Sequence, residues 1–416
     1  MNFFSHLKIG TKIILAIILT VFLCLGALVV VVSSHSSKIL SHESEKLIIN
    51  VGKRAANLVE GYLRESRATL NLGHAEIQEA LLHGYGQTND TLLETTLINM
   101  LDKNTLGIFG YIYLKNIHLQ NSRYHIGNDS VILGHDSQPA VEGGVQLTDA
   151  TQDVLNLRGL QQAMQTGKMS VGKPVKMRFN GIEVNVLSIN IPFFDSNHQV
   201  VGSIGLLLDI NTLAKVMNDS SRLSVFEGDY RAILTSDGTI ITNPNPEFIG
   251  MSLLDANRHP SATEVVNAIK RKQEGVMPYN NLQGDISYTA NAFFNITDDV
   301  YWSVLVTAPE KAIFAPLSQL QTYMFVGSLI AIFIVCAIVY FVIRSNITMR
   351  IHTVQSILFG FFKYLNHESK NPPKLVHPRA QDEIGAMAIA INENIEKTQQ
   401  SLKQDTIAIE QSAKTA

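Results

Sequence analysis

Two long apolar stretches constrain this chain more than any other feature. Residues 13–32 and 323–343 contain no Asp, Glu, Lys, Arg or His. A helix rises ~1.5 Å per residue, so a helix of about 20 residues crosses a hydrocarbon core ~30 Å thick. We therefore predict two transmembrane helices, assigned to residues 13–33 and 321–343.

The first stretch could instead belong to a cleaved signal peptide, since Lys8 and Lys12 form a short positive region in front of it. Its apolar run is longer than the hydrophobic region of a typical signal peptide, which has ~7–15 residues. We therefore expect an uncleaved anchor.

Basic residues near the apolar stretches predict the orientation. Lys8 and Lys12 precede the first stretch, and Arg344 and Arg350 follow the second. Because cytoplasmic flanks are enriched in Lys and Arg, both termini are predicted to be cytoplasmic, including the segment 1–12. Residues 34–320 would then lie in the periplasm of a cell that has an outer membrane. The expected location is the inner membrane, crossed by both helices.

The composition argues against several classes of function. The formal net charge is -3 and the pI is near 6.5, so no basic field favours nucleic acid. The cysteines are Cys24 and Cys336, both inside the apolar stretches, which leaves the outer segment without a disulfide. The histidines His118, His125 and His135 match no zinc spacing, and the sequence has no triad order or phosphate-binding glycine loop. We expect no metal, no cofactor and no enzyme activity.

The outer segment has the pattern of an α+β domain. Apolar residues at helical spacing predict a long helix over 38–82 and a second helix over 91–101. The expected seam of the long helix is Ile39, Leu40, Leu47, Val51, Ala55, Leu58 and Tyr62. Strand patterns follow at 108–114, 181–194, 200–210, 230–234, 239–242, 275–279, 286–294 and 302–308, with a helix over 262–271. Two consecutive α+β modules with antiparallel sheets are therefore predicted, a distal one over about 90–215 and a proximal one over about 222–310.

The residues after the second apolar stretch predict two amphipathic helices. The first has heptad spacing at Ile347, Ile351, Val354, Leu358, Phe361 and Leu365. The seam of the second is Ile384, Met387, Ile391 and Ile395. The connector 366–379 contains prolines at 372, 373 and 378 and cannot be helical throughout. We expect half of a parallel four-helix bundle, completed by a second copy in a homodimer, with a generic coiled-coil stalk as the alternative.

The order of these segments and several local motifs resemble a double-Cache chemoreceptor followed by a HAMP unit. The segments 107–113 and 361–366 look most like the methyl-accepting receptors of the Campylobacter and Helicobacter group. Family HAMP units carry an early proline where this chain has Ile347-Thr348. The stretches that match family motifs are GTIITNPNPEFIGMSLL at 238–254, IPFFD at 191–195 with VVGSIG at 200–205, WSV at 302–304 with PE at 309–310, and DEIG at 382–385.

This resemblance implies both a fold and a function. The fold would be two tandem PAS-like Cache modules on a long helix, a HAMP unit over 344–400 and the start of a cytoplasmic helix over 401–416. The function would be that of a chemotaxis receptor, which binds a small extracytoplasmic ligand and relays the signal through the second transmembrane helix and the HAMP unit. Its partners would be a histidine kinase and an adaptor, reached through an output domain that either follows Ala416 or belongs to a separate chain.

Two other classes of protein fit the same segments. One is the input half of a sensor histidine kinase or a diguanylate cyclase, which can share this front end. The other is a non-signalling periplasmic binding or assembly protein with two membrane anchors. The sequence that follows in the encoded protein would separate the signalling classes, as a methylated helical hairpin, a phosphoacceptor-histidine helix or a cyclase domain.

The resemblance also implies a ligand pocket in the distal module, facing its sheet. Such pockets place a few polar groups among apolar walls. Arg123 could bind a carboxylate through two hydrogen bonds while tyrosines close over it, so the expected ligand is an organic acid or amino acid-like molecule. The amino acid-binding subgroup has Trp-Tyr after its arginine, where this chain has Tyr124-His125, and Arg123 as a solvated loop charge is the alternative. The predicted ligand-binding residues are Tyr111, Tyr113, Arg123, Tyr124, His125 and Arg178.

An engineered cysteine beside Asp237 tests the predicted topology. In a Cys24→Ser, Cys336→Ser background, Ser236→Cys should react with a membrane-impermeant thiol reagent in intact cells. The matched cytoplasmic control, Lys403→Cys, should react only after lysis. Reaction of Ser236→Cys only after lysis would overturn the orientation.

Overall fold

The computed structural model describes residues 9–82, 90–139, 141–179, 181–297, 300–366, 368–369, 371–378 and 380–415. Contacts within the chain define two units. One unit is Ser37–Pro316 and contains both β-sheets. The other combines Met1–Ser36 with Leu317–Ala416.

The sequence of elements is that of an α+β protein. The helices are α1 Ile9–Leu82, α2 Asp90–Asp102, α3 Arg158–Thr166, α4 Ile210–Met217, α5 Ser220–Leu223, α6 Leu253–Ala256, α7 Pro260–Lys270, α8 Glu310–Ile343, α9 Met349–Leu365 and α10 Glu383–Thr415. The strands are β1 Gly107–Leu114, β2 His125–Ile126, β3 Asp129–Asp136, β4 Val145–Thr148, β5 Ser170–Val171, β6 Val175–Phe179, β7 Ile182–Phe194, β8 Val200–Asp209, β9 Tyr230–Thr235, β10 Ile240–Thr242, β11 Gly275–Asn280, β12 Ile286–Asn295 and β13 Tyr301–Pro309. Short 3-10 turns lie at Ser122–Tyr124, Gln152–Asn156 and Pro246–Phe248, and a π-helical turn at Arg344–Thr348.

The helix α1 supports both sheets with one of its faces. Gly52 lies against β12, where an added Cβ would be 3.2 Å from Cβ of Ala292. Gly73 lies against β8, where an added Cβ would be 3.2 Å from Cδ1 of Ile204. The absence of side chains at these two positions lets the strands approach the helix closely. The buried stripe, with helical spacing, is Ile48, Val51, Ala55, Val59, Leu63, Leu70 and Ile77.

The sequence predicted this stripe only in part. Val51 and Ala55 are buried as predicted, whereas Ile39 is 52% and Leu47 41% exposed. Apolar residues occur on more than one face of α1, and docking of the sheets decides which face is buried.

The distal module is an antiparallel sheet with the strand order β2-β3-β1-β8-β7-β5, in which β4 also pairs with β3 and β6 with β7. Successive side chains of a strand point to opposite faces. On β1, Ile112 and Leu114 belong to the core that includes α1. Tyr111 and Tyr113 belong to a second core, which includes Leu160 of α3. The module therefore has one face on the long helix and one face under α3.

The proximal module repeats this layering. Its antiparallel sheet has the order β10-β9-β13-β12-β11. Ala292 and Val304 face the core that includes α1, and Leu305 packs with Val265 of α7 on the opposite face. The strands predicted at 230–234 and 239–242 pair as β9 and β10, and the turn between them has Gly238 at φ 87°, a conformation that favours glycine.

A buried ion pair fixes the segment that joins the two modules. The side chains of Arg231 and Asp229 are 1% and 2% exposed, with Nη2 and Oδ2 3.0 Å apart. Arg231 also donates a hydrogen bond to the carbonyl of Leu223, at the end of α5. The backbone N–H groups of Val225 and Phe226 donate to Asp229 Oδ2. Because a buried charge without its partner is strongly unfavourable, the pair holds this connection in one conformation.

In the second unit, α1 and α8 contain stretches long and apolar enough to be candidate membrane spans.

The π-helical turn lies where the family resemblance places a proline. The helix α9 follows it, and its Arg350 binds the carboxylate of Asp382 through two hydrogen bonds, one of them 2.6 Å from Nη2 to Oδ1. These bonds, with that from the N–H of Gly385, lower the pKa of Asp382 to about 2. Within the predicted seams, Phe361 and Ile395 are buried and Met387 is exposed.

Candidate ligand-binding site in the distal module

The outer face of the distal sheet is covered by the segment that follows β4. Val154 of a 3-10 turn and Leu160 of α3 share a core cluster with Tyr111 and Tyr113. Residues directly opposite one another in paired strands lie on the same face. One row of such residues crosses β3, β1, β8, β7 and β5, and it consists of Leu133, Tyr111, Gly205, Asn190 and Ser170.

Tyr111 crosses Gly205 to reach Asn190. A Cβ on Gly205 would lie 2.2 Å from Cζ of Tyr111, so the ring occupies the space above the glycine. The Tyr111 hydroxyl donates a hydrogen bond to Oδ1 of Asn190. Burial raises the pKa of Tyr111 well above its ordinary value, and the phenol therefore stays a neutral donor.

Asn190 links the sheet to its cover. Its Nδ2 donates to Oγ of Ser188 at 3.3 Å and to Oγ of Ser170 at 3.4 Å. Ser170 in turn donates to the carbonyl of Gly159 in the first turn of α3. A Cβ on Gly159 would lie 2.4 Å from Nδ2 of Asn190, so only glycine lets α3 close this far. A ligand entering here would exchange hydrogen bonds with this network.

Tyr113 lies on the same face, nearer the end of β1. Its hydroxyl donates to Oδ2 of Asp129 at 2.9 Å, and Oδ1 of Asp129 accepts from the N–H of Asn116. Burial, and then the hydrogen bond and charge of Asp129, raise the pKa of Tyr113. Tyr111 and Tyr113 therefore lie on the same face of the sheet, because side chains two residues apart in a strand point the same way.

Tyr124 lies on the other side of the sheet from Tyr111 and Tyr113. It is buried in the core that includes α1, and its hydroxyl donates to Glu94 of α2. Burial and Glu94 raise the pKa of Tyr124 to about 12. This side chain therefore takes part in the support of the sheet, away from the covered face.

Arg123 and His125 flank Tyr124 at the edge of the sheet. The exposed guanidinium of Arg123 lies 4.7 Å from the Tyr124 ring centroid, and its carbonyl accepts from the N–H of Ala150. Nε2 of His125 lies 2.7 Å from the carbonyl oxygen of Leu119. Because Ala150 begins the covering segment, Arg123 stands at the rim of the covered face.

Arg178 lies apart from the other predicted residues. It is exposed on β6, opposite Glu183 of β7 in the register. Glu183 pairs instead with Lys176, at 3.1 Å between Nζ and Oε1. The structure therefore gives Arg178 a solvent-facing position on a strand that pairs only with β7.

Sequence reasoning missed Asn190, Ser188, Ser170 and Gly205. One signal was present, because Asn190 stands between Ile189 and Ile191 in a strand that is otherwise strongly apolar. An amide in such a strand must find partners when it is buried.

Two sheets on one helix, each with a covered outer face, define an extracytoplasmic ligand-binding sensor domain, here flanked by two candidate membrane helices. The family model described as Cache domain, of the double-Cache type dCache_1, matches residues 34–317. The chain therefore belongs to the double-Cache family, whose sensor domains occur in chemoreceptors and histidine kinases.

Solved structures share this fold. The periplasmic sensory domain of the Campylobacter jejuni chemoreceptor Tlp1 matches with 26% identity and a TM-score of 0.60, over 67% of this chain and 99% of that chain. The extracellular domain of mmHK1S-Z3, assigned as a histidine kinase, matches with 16% identity and a TM-score of 0.52, over 68% of this chain and 99% of that chain. It supports the fold alone.

The ligand-binding domain of the Pseudomonas aeruginosa PAO1 amino acid chemoreceptor PctB, in complex with L-Arg, matches with 17% identity and a TM-score of 0.46, over 68% of this chain and 94% of that chain. The binding of L-Arg is an observation on PctB. The comparison with curated proteins gave no match.

Gly205→Ala tests the packing of the polar row. The new methyl group would overlap the Tyr111 ring and break the hydrogen bond to Asn190, so we expect a loss of about 1–3 kcal/mol in the free energy of unfolding. Urea unfolding followed by the fluorescence of Trp302 measures this loss. The control is Gly61→Ala on α1, where an added Cβ meets no atom within 4 Å, and which should stabilise by about 0.5–1 kcal/mol. Equal effects of the two substitutions would contradict this packing.

Proposed function

We propose that this chain is the sensory half of a transmembrane chemoreceptor. The observation that carries the proposal is the likeness to the Tlp1 sensory domain, which extends over 99% of that domain. The order of segments agrees with it, because candidate membrane helices stand on both sides of residues 34–317. The chain would span the inner membrane twice with its sensor in the periplasm. It would act as a homodimer without enzyme activity of its own.

The proposed ligand is a small organic acid or amino acid-like molecule bound in the distal module. Support comes from the covered face with its polar row at Tyr111 and Asn190, and from Arg123 at its rim. Binding would replace the hydrogen bonds between Asn190, Ser170 and Gly159. It would thereby change how α3 is held against the sheet.

The proposed relay passes through the second membrane helix. The strand β13 ends at Pro309 and α8 begins at Glu310, so the sheet and the helix are joined without a loop. A ligand shifts such an equilibrium only by its differential affinity for two states. Displacements of about 1–2 Å are typical of helices that transmit signals. The HAMP unit proposed for residues 344–400 would convert the displacement into control of a histidine kinase through an output domain.

The second candidate is the input half of a sensor histidine kinase or diguanylate cyclase. The fold shared with the extracellular domain of mmHK1S-Z3 favours it. The two functions require different output domains, so the sequence of the complete encoded protein distinguishes them.

A thermal-shift screen of the full chain against organic acids and amino acids tests the ligand site. A ligand that binds the folded state raises the melting temperature. Arg123→Ala should abolish the shift produced by a carboxylate and leave the unliganded melting temperature nearly unchanged, because Arg123 is exposed. Arg178→Ala tests the second predicted cation in the same way. Arg64→Ala on α1 is the control and should retain the shift, and loss of the shift in all three variants would contradict a specific anchor.

Disulfide crosslinking in membranes tests the relay. In a Cys24→Ser, Cys336→Ser background, Ile351→Cys should crosslink two copies, because this residue belongs to the predicted seam of α9. A ligand found in the thermal screen should change the rate of crosslinking. Ser356→Cys, off the seam, is the matched control and should crosslink slowly in both states. A rate at Ile351→Cys that is the same with and without ligand would exclude this route.

A further inference from the structure

The proximal module contains a buried amide that has no hydrogen-bond partner among the residues described by the structure. Asn291 of β12 is 2% exposed. Both its amide oxygen and its amide nitrogen lack a hydrogen-bond partner within the part of the chain that the structure describes. Exchanging the oxygen and nitrogen positions does not help, since neither end has a partner. Such groups are rare in folded proteins and require an explanation.

Asn291 occupies the same place in its sheet as Asn190 occupies in the distal sheet. Asn190 stands four residues before the end of β7 at Phe194, and Asn291 four residues before the end of β12 at Asn295. In the strand order of its sheet, each of the two strands is next to the last one, β7 beside β5 and β12 beside β11. Each amide also points to the face covered by that helix.

The residues around the two amides differ in chemistry. In the row of Asn190, the neighbours across the sheet are Gly205, Tyr111 and Ser170, and two of them bear hydroxyl groups. In the row of Asn291, the corresponding neighbours are Leu305, Ala232 and Gly275, with no polar side chain among them.

The hydroxyl group of Thr289, on the same strand, already has hydrogen-bond partners. Thr289 stands two residues before Asn291, as Ser188 stands two before Asn190. Its Oγ1 lies 3.0 Å from the carbonyl of Val306 and 3.1 Å from Oγ1 of Thr307. The amide of Asn291 therefore faces apolar neighbours.

The surroundings of Asn291 limit what could bind there. Its face of the sheet packs against α7 through Val265 and Ile269, in a cluster of apolar side chains and Tyr279. A Cβ added to Gly275, which is paired with Asn291 on the outermost strand, would meet no atom within 4 Å. The position that a side chain of residue 275 would occupy, at the edge of the sheet, is therefore open. A charged ligand would be buried there without a counter-ion, which is strongly unfavourable.

We propose that the proximal module holds a second ligand site, in which the amide of Asn291 binds a small uncharged molecule that carries a carboxamide-type edge. A side-chain amide has donors and an acceptor side by side, and it pairs with an edge of the same kind through two parallel hydrogen bonds. The rest of the ligand would be apolar and would contact the apolar side chains around Asn291, entering beside Gly275. This site is separate from the ligand site proposed in the distal module and does not depend on it.

Thermal unfolding of the full chain in detergent with a matched pair of probes tests the proposal. Propionamide should raise the melting temperature, whereas propionate, which has the same shape and a negative charge, should not. Asn291→Leu should abolish the effect of propionamide. Without probe, this variant should melt higher than the natural chain, because it removes an unpaired polar group.

Asn190→Leu is the matched control at the equivalent position. It removes an amide whose partners are Tyr111, Ser188 and Ser170, so the unliganded protein should melt lower than the natural chain. The two substitutions should change the unliganded melting temperature in opposite directions, which distinguishes an amide that binds a ligand from an amide that stabilises the fold.

Three results would overturn the site. The first is no increase in melting temperature of the natural chain with propionamide. The second is an increase that persists in Asn291→Leu. The third is a lower melting temperature of Asn291→Leu without probe, which would show that a bound water or another partner already satisfies this amide.

Discussion

The sensor depends on the burial of a single face of α1 by two sheets at once. A helix gains most of its stability from packing of an apolar face rather than from intrinsic propensity. Here that face extends from Ile48 to Ile77, and Gly52 and Gly73 let the two sheets approach it. The inner face of each sheet lies on this helix, and α2 also covers part of that face in the distal sheet, where an added Cβ on Gly110 would be 3.0 Å from Leu97. The two modules are therefore supported by a common element.

With the inner faces occupied by the helix, the outer faces are left for recognition. The same strand position carries Asn190 in one module and Asn291 in the other, but the neighbouring strands give the two amides opposite surroundings. Around Asn190, hydroxyl groups and glycines allow α3 to close on a complete hydrogen-bond network. Around Asn291 the neighbours are apolar. Two sheets with the same layering thus differ in chemistry, because single residues on adjacent strands set the chemistry of each face.

Much of this fold could be predicted from the sequence. The long helix, the strand β1 and the strands β7–β13 lie where the patterns predicted them, because alternation and turn residues act locally. The strands β2–β6 and the helix α3, between residues 125 and 179, were not predicted. The site was predicted less well. Tyr111 and Tyr113 share a face, as period two requires, but Tyr124 lies on the supporting side with Glu94. The amide Asn190 was missed because its partner Tyr111 is 79 residues away along the chain.

By itself, the sequence determined most of the longer helices and strands, their order and the two apolar stretches. Each of these follows from the spacing of side chains along a short segment. Only the tertiary structure decided which face of α1 is buried, leaving Leu47 exposed, and which polar groups meet across the strands. The physical reason is that burial and hydrogen bonding are properties of neighbours in space. A pattern along the chain indicates that Asn190 and Asn291 lie in apolar strands. The register of the paired strands decides that Asn190 has hydrogen-bond partners, whereas Asn291 has none among the described residues.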